Sequence, residues 1–354
     1  MTDSHSQLMH APPEGLKFAM RAYAYSEKIG LDTLRVEERP DPTPGPRDVV
    51  LRMRALTLNY RDLAIARGHY HAAVEPPLIP ISDGAGEVIA VGPEVTRVCL
   101  GNLACPVYLP DWVDGPPTPE KLVRRLGGPT DGVMAEFVCL DERALLRAPS
   151  HLDAAEAACL PVAAVTAWHS LFEFGALRPG ETIVILGTGG VSTAAFLFAK
   201  ATGARCIGVT RREAVAERLC SLGADEVIVD SSNGWPKRVM ELTKGVGANV
   251  ILDVVGANSL EQSIAATCHG GLVHLVGYAA GERASFDIFE AIRHAVTIKI
   301  ATAGSRRSFE SLNRALEQER LRPPIERVFP VSHFRDAFAH LERGGHFGKV
   351  ALSF

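Results

Sequence analysis

The sequence predicts an α/β protein in which a doubly wound parallel sheet stands beside an irregular, mostly β unit. Three observations carry this. Residues 181–210 read as strand, glycine turn, helix and strand. From there to about residue 301, short apolar strands alternate with helical patterns. Between Lys17 and about His151 that rhythm is absent, and strand alternation is broken by long turns. A chain of 354 residues also exceeds one ordinary core and suggests two domains.

The run Ile183-Val184-Ile185-Leu186 is β-branched, apolar and short enough for one buried parallel strand. Gly187-Thr188-Gly189-Gly190-Val191-Ser192 follows, then a helical pattern to about Thr202 and a strand over 206–209. This is the βαβ unit that binds a dinucleotide. Gly187 suits the tight turn, and Gly189 lets backbone approach a pyrophosphate. The first N–H groups of the helix face that anion. Ser192 takes the third small position.

The rhythm continues with helices over 213–222, 235–243 and 259–266, and strands over 226–229, 250–253, 272–276 and 297–301. Gly256 and Gly277 end their strands at the edge where such a sheet binds its cofactor. After Val209, an NAD site would place an acidic residue on the ribose hydroxyls; here Thr210-Arg211-Arg212 stands instead. Two guanidiniums and a hydroxyl suit a 2′-phosphate, so NADP(H) is the expected cofactor.

In the first unit, strands are expected over 49–56, 84–91 and 132–140, with a proline-rich loop over 110–129. Helical spacing marks 153–160 and 163–174. Near the C-terminus, Phe334, Ala337, Phe338 and Leu341 define an amphipathic helix over 330–343, with Ser332 as its N-cap.

A net charge of −4 gives no basic face for nucleic acid or an anionic membrane. No stretch reaches the ~18 uninterrupted apolar residues of a membrane span. Met1 to Glu14 lacks the basic start and apolar middle of a signal peptide. The seven cysteines are scattered, with no C-x-x-C pair, as expected of reduced thiols in a cytoplasmic protein.

The stretches Asn59-Tyr60-Arg61-Asp62-Leu63 with Arg67-Gly68-His69-Tyr70, and Ser82-Asp83-Gly84-Ala85-Gly86-Glu87-Val88, resemble the medium-chain dehydrogenase/reductase superfamily. That superfamily includes zinc alcohol dehydrogenases and zinc-free quinone oxidoreductases. The resemblance implies a GroES-like catalytic domain over 17–158 and 303–354, a Rossmann domain over 159–302, and a tail over 1–16. It places Thr166 under the nicotinamide and lets Lys349, in His346-Phe347-Gly348-Lys349-Val350, reach the cofactor; core packing and an exposed strand end are the respective alternatives. It also implies a homodimer through the strand 297–301.

Matching the zinc motifs puts Asn59, Ser82 and Val162 where zinc members carry metal ligands. Amide, hydroxyl and isopropyl groups do not make the N/S-rich site zinc prefers, so no catalytic zinc is expected. The cysteine lobe of a structural zinc is missing too. His69 and His71 read as exposed loop residues.

Without a metal, Asn59, Arg61 and Tyr70 are the candidates to position and polarise a substrate oxygen. Each has an alternative: Asn59 bonding backbone in a turn, Arg61 paired with Asp62, Tyr70 as half-buried packing. Asp83 reads as a brace. The expected activity is zinc-independent, NADPH-dependent hydride transfer to a quinone, enone or other activated carbonyl. An NAD(P)-dependent alcohol dehydrogenase or aldehyde reductase, and a non-catalytic NADPH-binding protein, are the alternatives.

Overall fold

The computed structural model describes residues 19–300 and 303–354. The expected tail 1–16 and the last residue of the strand 297–301 lie outside the described residues.

Six parallel strands form one sheet in the spatial order Glu226–Val229, Arg205–Thr210, Thr182–Leu186, Ala248–Asp253, Thr267–Leu275, Thr297–Ile300. Numbered along the chain, this is 3-2-1-4-5-6, the doubly wound order with its switch point beside Thr182–Leu186. The strands are apolar on both sides because both faces are covered. Ile183 and Ile185 pack with Phe196 and Ala199 of the helix Gly190–Thr202. Val184 and Leu186 point the other way, toward Trp235, Val239 and Ile264. A period of two with both faces apolar gives the unbroken β-branched run seen in the sequence.

The second sheet is built from both ends of the chain. Its path is Ile325–Pro330, Lys349–Ser353, Asp48–Leu58, Asp83–Val91, Leu103–Pro106, Leu145–Arg147, with Phe137–Asp141 also on Asp48–Leu58. Closing the sheet with Lys349–Ser353 sets a register in which Val350 lies opposite Leu58. That register carries Lys349 to the position beside Asn59.

Four of the differences from the sequence reading bear on the site and the core. The stretch after Asn59, given no element above, is a helix, Tyr60–Ala66, with Asp62 Oδ2 accepting the Asn59 N–H at 2.8 Å. The strand expected over 132–140 begins only at Phe137, because the backbone of Gly132 and Val133 bonds instead to the carbonyls of Ile79 and Ile81. Arg306–Glu319 is an unanticipated helix, capped by Ser305 and burying Phe309, Leu312 and Leu316 in the core shared with Ile183. Ser332 does not cap its helix. It lies inside a 3₁₀ turn, Val331–His333, and the helix proper is Phe334–Arg343. No helix among the described residues is long and apolar enough to cross a membrane.

His169 and His274 are buried beside one aromatic ring without full hydrogen-bond partners. His169 Nδ1 meets Ser308 Oγ at 3.0 Å, but its Nε2 and both nitrogens of His274 have no partner. Phe174 separates the rings, 4.4 Å from His169 and 5.6 Å from His274. Burial pushes both pKa values down from 6.5 to about 4. The unfolded chain therefore binds protons that the folded chain refuses between those values, and stability present above about pH 6.5 is lost as pH falls toward 4. Each unit of depression is worth ~1.4 kcal/mol. We predict a lower Tm at pH 5 than at pH 7, with a smaller difference in a His274→Gln variant. An equal difference in the variant would contradict this assignment.

Candidate active site

The strand Thr182–Leu186 delivers the chain into the glycine turn. Gly187 has φ +78°, a left-handed conformation in which a side chain would be strained. Gly189 is the N-cap of the helix Gly190–Thr202 and offers no capping side chain, so the first-turn N–H groups remain for an anion. A Cβ on Gly189 would meet nothing nearer than His346 Nε2 at 3.6 Å, which keeps the approach open. Gly190 has another reason to be glycine: a Cβ there would lie 2.4 Å from Lys349 Cδ. Val191 follows it in the first turn, and Ser192 ties the helix to the strand by donating to the Leu186 carbonyl at 2.7 Å.

The C-terminal segment clasps this turn. Gly348 N–H donates to the Thr188 carbonyl at 2.8 Å, and Thr188 Oγ1 donates to the His346 carbonyl at 2.9 Å. Arg212 Nη2 donates to the same Thr188 hydroxyl at 3.1 Å. Thr210 is buried and its Oγ1 accepts the Arg212 N–H at 3.2 Å, while Arg211 is exposed. Thr210, Arg211 and Arg212 therefore stand one strand away from the glycine turn, with Arg212 reaching back to it.

Gly256 and Gly277 lie past the ends of neighbouring strands and pack on each other. A Cβ on Gly256 would come 2.5 Å from the Gly277 carbonyl oxygen. Buried Asp253, which the sequence reading passed over, holds this corner by accepting the N–H groups of Val255 at 2.9 Å and Gly256 at 3.0 Å and the hydroxyls of Ser259 and Ser263. Thr166 is buried, and its hydroxyl is spent on the Val162 carbonyl at 2.6 Å.

The positions matched to zinc ligands come together around a lysine. Lys349 is only 4% exposed. Its Nζ donates to the Leu58 carbonyl at 2.7 Å and to Asn59 Oδ1 at 2.6 Å, and lies 3.8 Å from Asp83 Oδ2. Asn59 Nδ2 faces Ser82 Oγ at 3.5 Å, and Ser82 in turn donates to Asp83 Oδ1 at 2.9 Å. Val162 enters through its backbone N–H, 3.2 Å from Asp83 Oδ2. Burial raises the Asp83 pKa, and the Lys349 charge and these hydrogen bonds oppose that rise. Lys349 is thus neither an exposed strand end nor turned outward; its ammonium is directed at Asn59.

Arg61 differs from its expected role as a donor to substrate. It is buried, and its guanidinium donates to the carbonyls of Leu126 at 3.1 Å and Gly128 at 2.9 Å and pairs with Asp62 at 3.3 Å. Two of its N–H bonds thus hold the loop 126–128 and another faces Asp62, the pairing that was the alternative to a substrate role. Burial pushes Asp62 up to about 6, against the pull of Arg61. Tyr70 is half-buried beside the same guanidinium, with its Oη 3.2 Å from Tyr108 Oη and 3.5 Å from Arg61 Nε. His69 and His71 are exposed, as expected. No hydrogen bond among the described residues joins Asn59 to Tyr70.

Tyr278, absent from the sequence-derived candidates, completes the wall. Its ring packs edge-on to Tyr60 at 5.3 Å and to His71 at 6.2 Å, and its hydroxyl has no partner. Its position directly after Gly277, at a strand end of the parallel sheet, was the available signal. The strand ends of one sheet and the helix Tyr60–Ala66 of the other therefore meet through aromatic faces.

The zinc-binding dehydrogenase family matches residues 190–318, and the alcohol dehydrogenase GroES-like domain matches residues 45–150. The chain is 33% identical over 342 residues to a zinc-type alcohol dehydrogenase-like protein of Schizosaccharomyces pombe, covering 94% of this chain and 99% of the relative. It is 33% identical over 253 residues to a quinone oxidoreductase of Pseudomonas aeruginosa, 71% of each protein. A crystal structure from Sinorhizobium meliloti 1021, provisionally described as an alcohol dehydrogenase, superposes with a TM-score of 0.90 at 36% identity, covering 96% of this chain and 100% of that one. Fold, site and relatives together define an NAD(P)H-dependent oxidoreductase. The chain belongs to the medium-chain dehydrogenase/reductase superfamily.

The Arg61–Asp62 pair yields a test. Removing one member of a buried ion pair costs ~3–5 kcal/mol, because the other charge is stranded. An Arg61→Leu variant should lose about that much stability in urea unfolding. Unchanged stability with a raised substrate KM would return Arg61 to the substrate.

Proposed function

We propose that this oxidoreductase is zinc-independent and NADPH-dependent, and reduces a quinone, enone or other activated carbonyl. The carrying observation is the lysine-centred chain at the positions of the zinc ligands. An amide, a hydroxyl and a backbone N–H are poor partners for zinc, and the Lys349 ammonium already supplies the positive charge facing Asp83. A dication among them would be repelled. The aromatic wall of Tyr60, Tyr70, Tyr278 and His71 supports a flat, unsaturated acceptor.

The residues present suit a dinucleotide: Gly187, Thr188, Gly189, Gly190 and Val191 would take the pyrophosphate, and Thr210, Arg211 and Arg212 a 2′-phosphate. Thr166, Gly256 and Gly277 would border the rest. When bound, the nicotinamide supplies the hydride. Asn59 Nδ2 holds the acceptor oxygen by hydrogen bonding and stabilises charge that develops there. Tyr70 Oη, backed by Tyr108 and Arg61, holds the proton that this oxygen takes up. Electron-poor acceptors need less Lewis-acid activation than a simple ketone, which suits a site built on neutral donors.

A homodimer belongs to the same proposal. Among the described residues Thr297–Ile300 is an edge strand, Ile300 is 75% exposed, and the neighbouring helix Ile288–His294 exposes Ile288, Phe289 and Ile292. An unpaired strand edge beside an apolar patch suits pairing with a second copy. The seven free cysteines are consistent with the cytoplasm.

The deciding experiment is NADPH oxidation against 1,4-benzoquinone, an α,β-unsaturated ketone and an aldehyde, repeated with NADH. Turnover of the first two with NADPH is expected. Preference for the aldehyde would favour the alcohol dehydrogenase reading, and NADPH binding without turnover the non-catalytic one. Because a charge-assisted hydrogen bond contributes ~1.5–3 kcal/mol, Arg211→Ala should raise the NADPH KM about 10- to 100-fold and leave that for NADH unchanged. An equal effect on both cofactors would contradict the 2′-phosphate assignment. Light scattering should give a dimer, and Phe289→Glu a monomer; a monomeric parent protein would overturn the pairing.

A further inference from the structure

We infer that Lys349 is a positioning residue whose ammonium decides which end of the Asn59 amide is presented to the acceptor. The inference rests on the reading of Asn59 above. An amide has oxygen and nitrogen ends of nearly equal shape, so an unrestrained asparagine can offer either a donor or an acceptor. Only the donor end stabilises negative charge on a reduced oxygen. Lysine carries three donors and no acceptor, so the amide atom 2.6 Å from Lys349 Nζ must be Oδ1.

The rest of the chain agrees in direction. With Oδ1 occupied, Nδ2 points to Ser82 Oγ at 3.5 Å. Ser82 has given its own hydrogen to Asp83, so it can only accept from Asn59. Nδ2 bears two hydrogens, its inner side faces Ser82 and the Asp83 carboxylate, and Asn59 is partly exposed. We assign its other N–H to a ligand. A flipped amide would place its NH₂ against the ammonium and its oxygen near Ser82, losing the Lys349 bond.

Lys349 is held well enough to impose this. Its stem crosses Gly190, its ammonium is anchored on the Leu58 carbonyl, and its strand is registered by Val350 opposite Leu58. The residue before it, Gly348, is bonded to Thr188 of the phosphate turn. The lysine that orients the acceptor's donor thus belongs to the segment that clasps the cofactor turn.

The test is a double-mutant cycle in the full-length enzyme, with kcat on 1,4-benzoquinone, NADPH Kd by fluorescence and Tm measured for each variant. Lys349→Met and Asn59→Ala should each lower kcat about 10- to 100-fold while NADPH Kd changes less than about threefold, and the double variant should be no slower than Asn59→Ala alone. Asn59→Asp keeps an oxygen for Lys349 but removes the donor. It should retain Tm and lose kcat to the same degree, which a purely structural role would not produce. Multiplicative losses in the double variant, or a Lys349→Met variant with normal kcat and weakened NADPH binding, would overturn the inference. Absence of turnover by the unsubstituted enzyme on any acceptor would overturn the underlying reading and this inference with it.

Discussion

A buried ammonium is the constraint around which this molecule is arranged. An ion taken out of water costs several kcal/mol unless the fold supplies partners. Lys349 receives a carbonyl and an amide oxygen from the adjacent residues Leu58 and Asn59 and a nearby carboxylate from Asp83. Meeting that need fixes the register of the closing strand, excludes a side chain at residue 190, and commits Asn59, Ser82 and Asp83 to one directional hydrogen-bond chain. Positive charge is thereby placed within the protein, among the positions matched to zinc ligands. On the proposed reading, the ammonium acts on the acceptor through the Asn59 amide, whereas a Lewis acid would bind the oxygen directly.

The same segment joins the two halves of the molecule. Residues 346–349 bond to the glycine turn on one side and to the start of the helix Tyr60–Ala66 on the other. A turn shaped for phosphate and an amide aimed at an acceptor are consequently tied together by four residues. Arg61 serves the opposite wall, fastening the loop 126–128 so that Tyr70 and Tyr108 stack against a fixed plane.

The sequence made the parallel sheet legible because its strands are buried on both faces, which leaves uninterrupted β-branched runs between glycine turns. The helix Arg306–Glu319 was hidden by the Gly304-Ser305-Arg306-Arg307 start, although Phe309, Leu312 and Leu316 carry helical spacing. At the site, the expectation of no zinc rested on the residue types at Asn59, Ser82 and Val162, which the fold brings together. The role of Lys349 did not show, because its contact with Asn59 spans 290 positions and depends on strand register. For Arg61 the sequence offered a substrate donor or a partner of Asp62, and nothing local reveals that the carbonyls of Leu126 and Gly128 also accept its N–H groups. Asp253 and Tyr278 likewise acquire meaning only where strand ends converge.

Metal content measured alongside turnover tests the central claim most directly. Purified enzyme analysed by mass spectrometry should contain far less than one zinc per chain and should reduce 1,4-benzoquinone with NADPH equally well before and after exhaustive chelation. One zinc per chain, with activity lost on chelation and restored by zinc alone, would contradict the account.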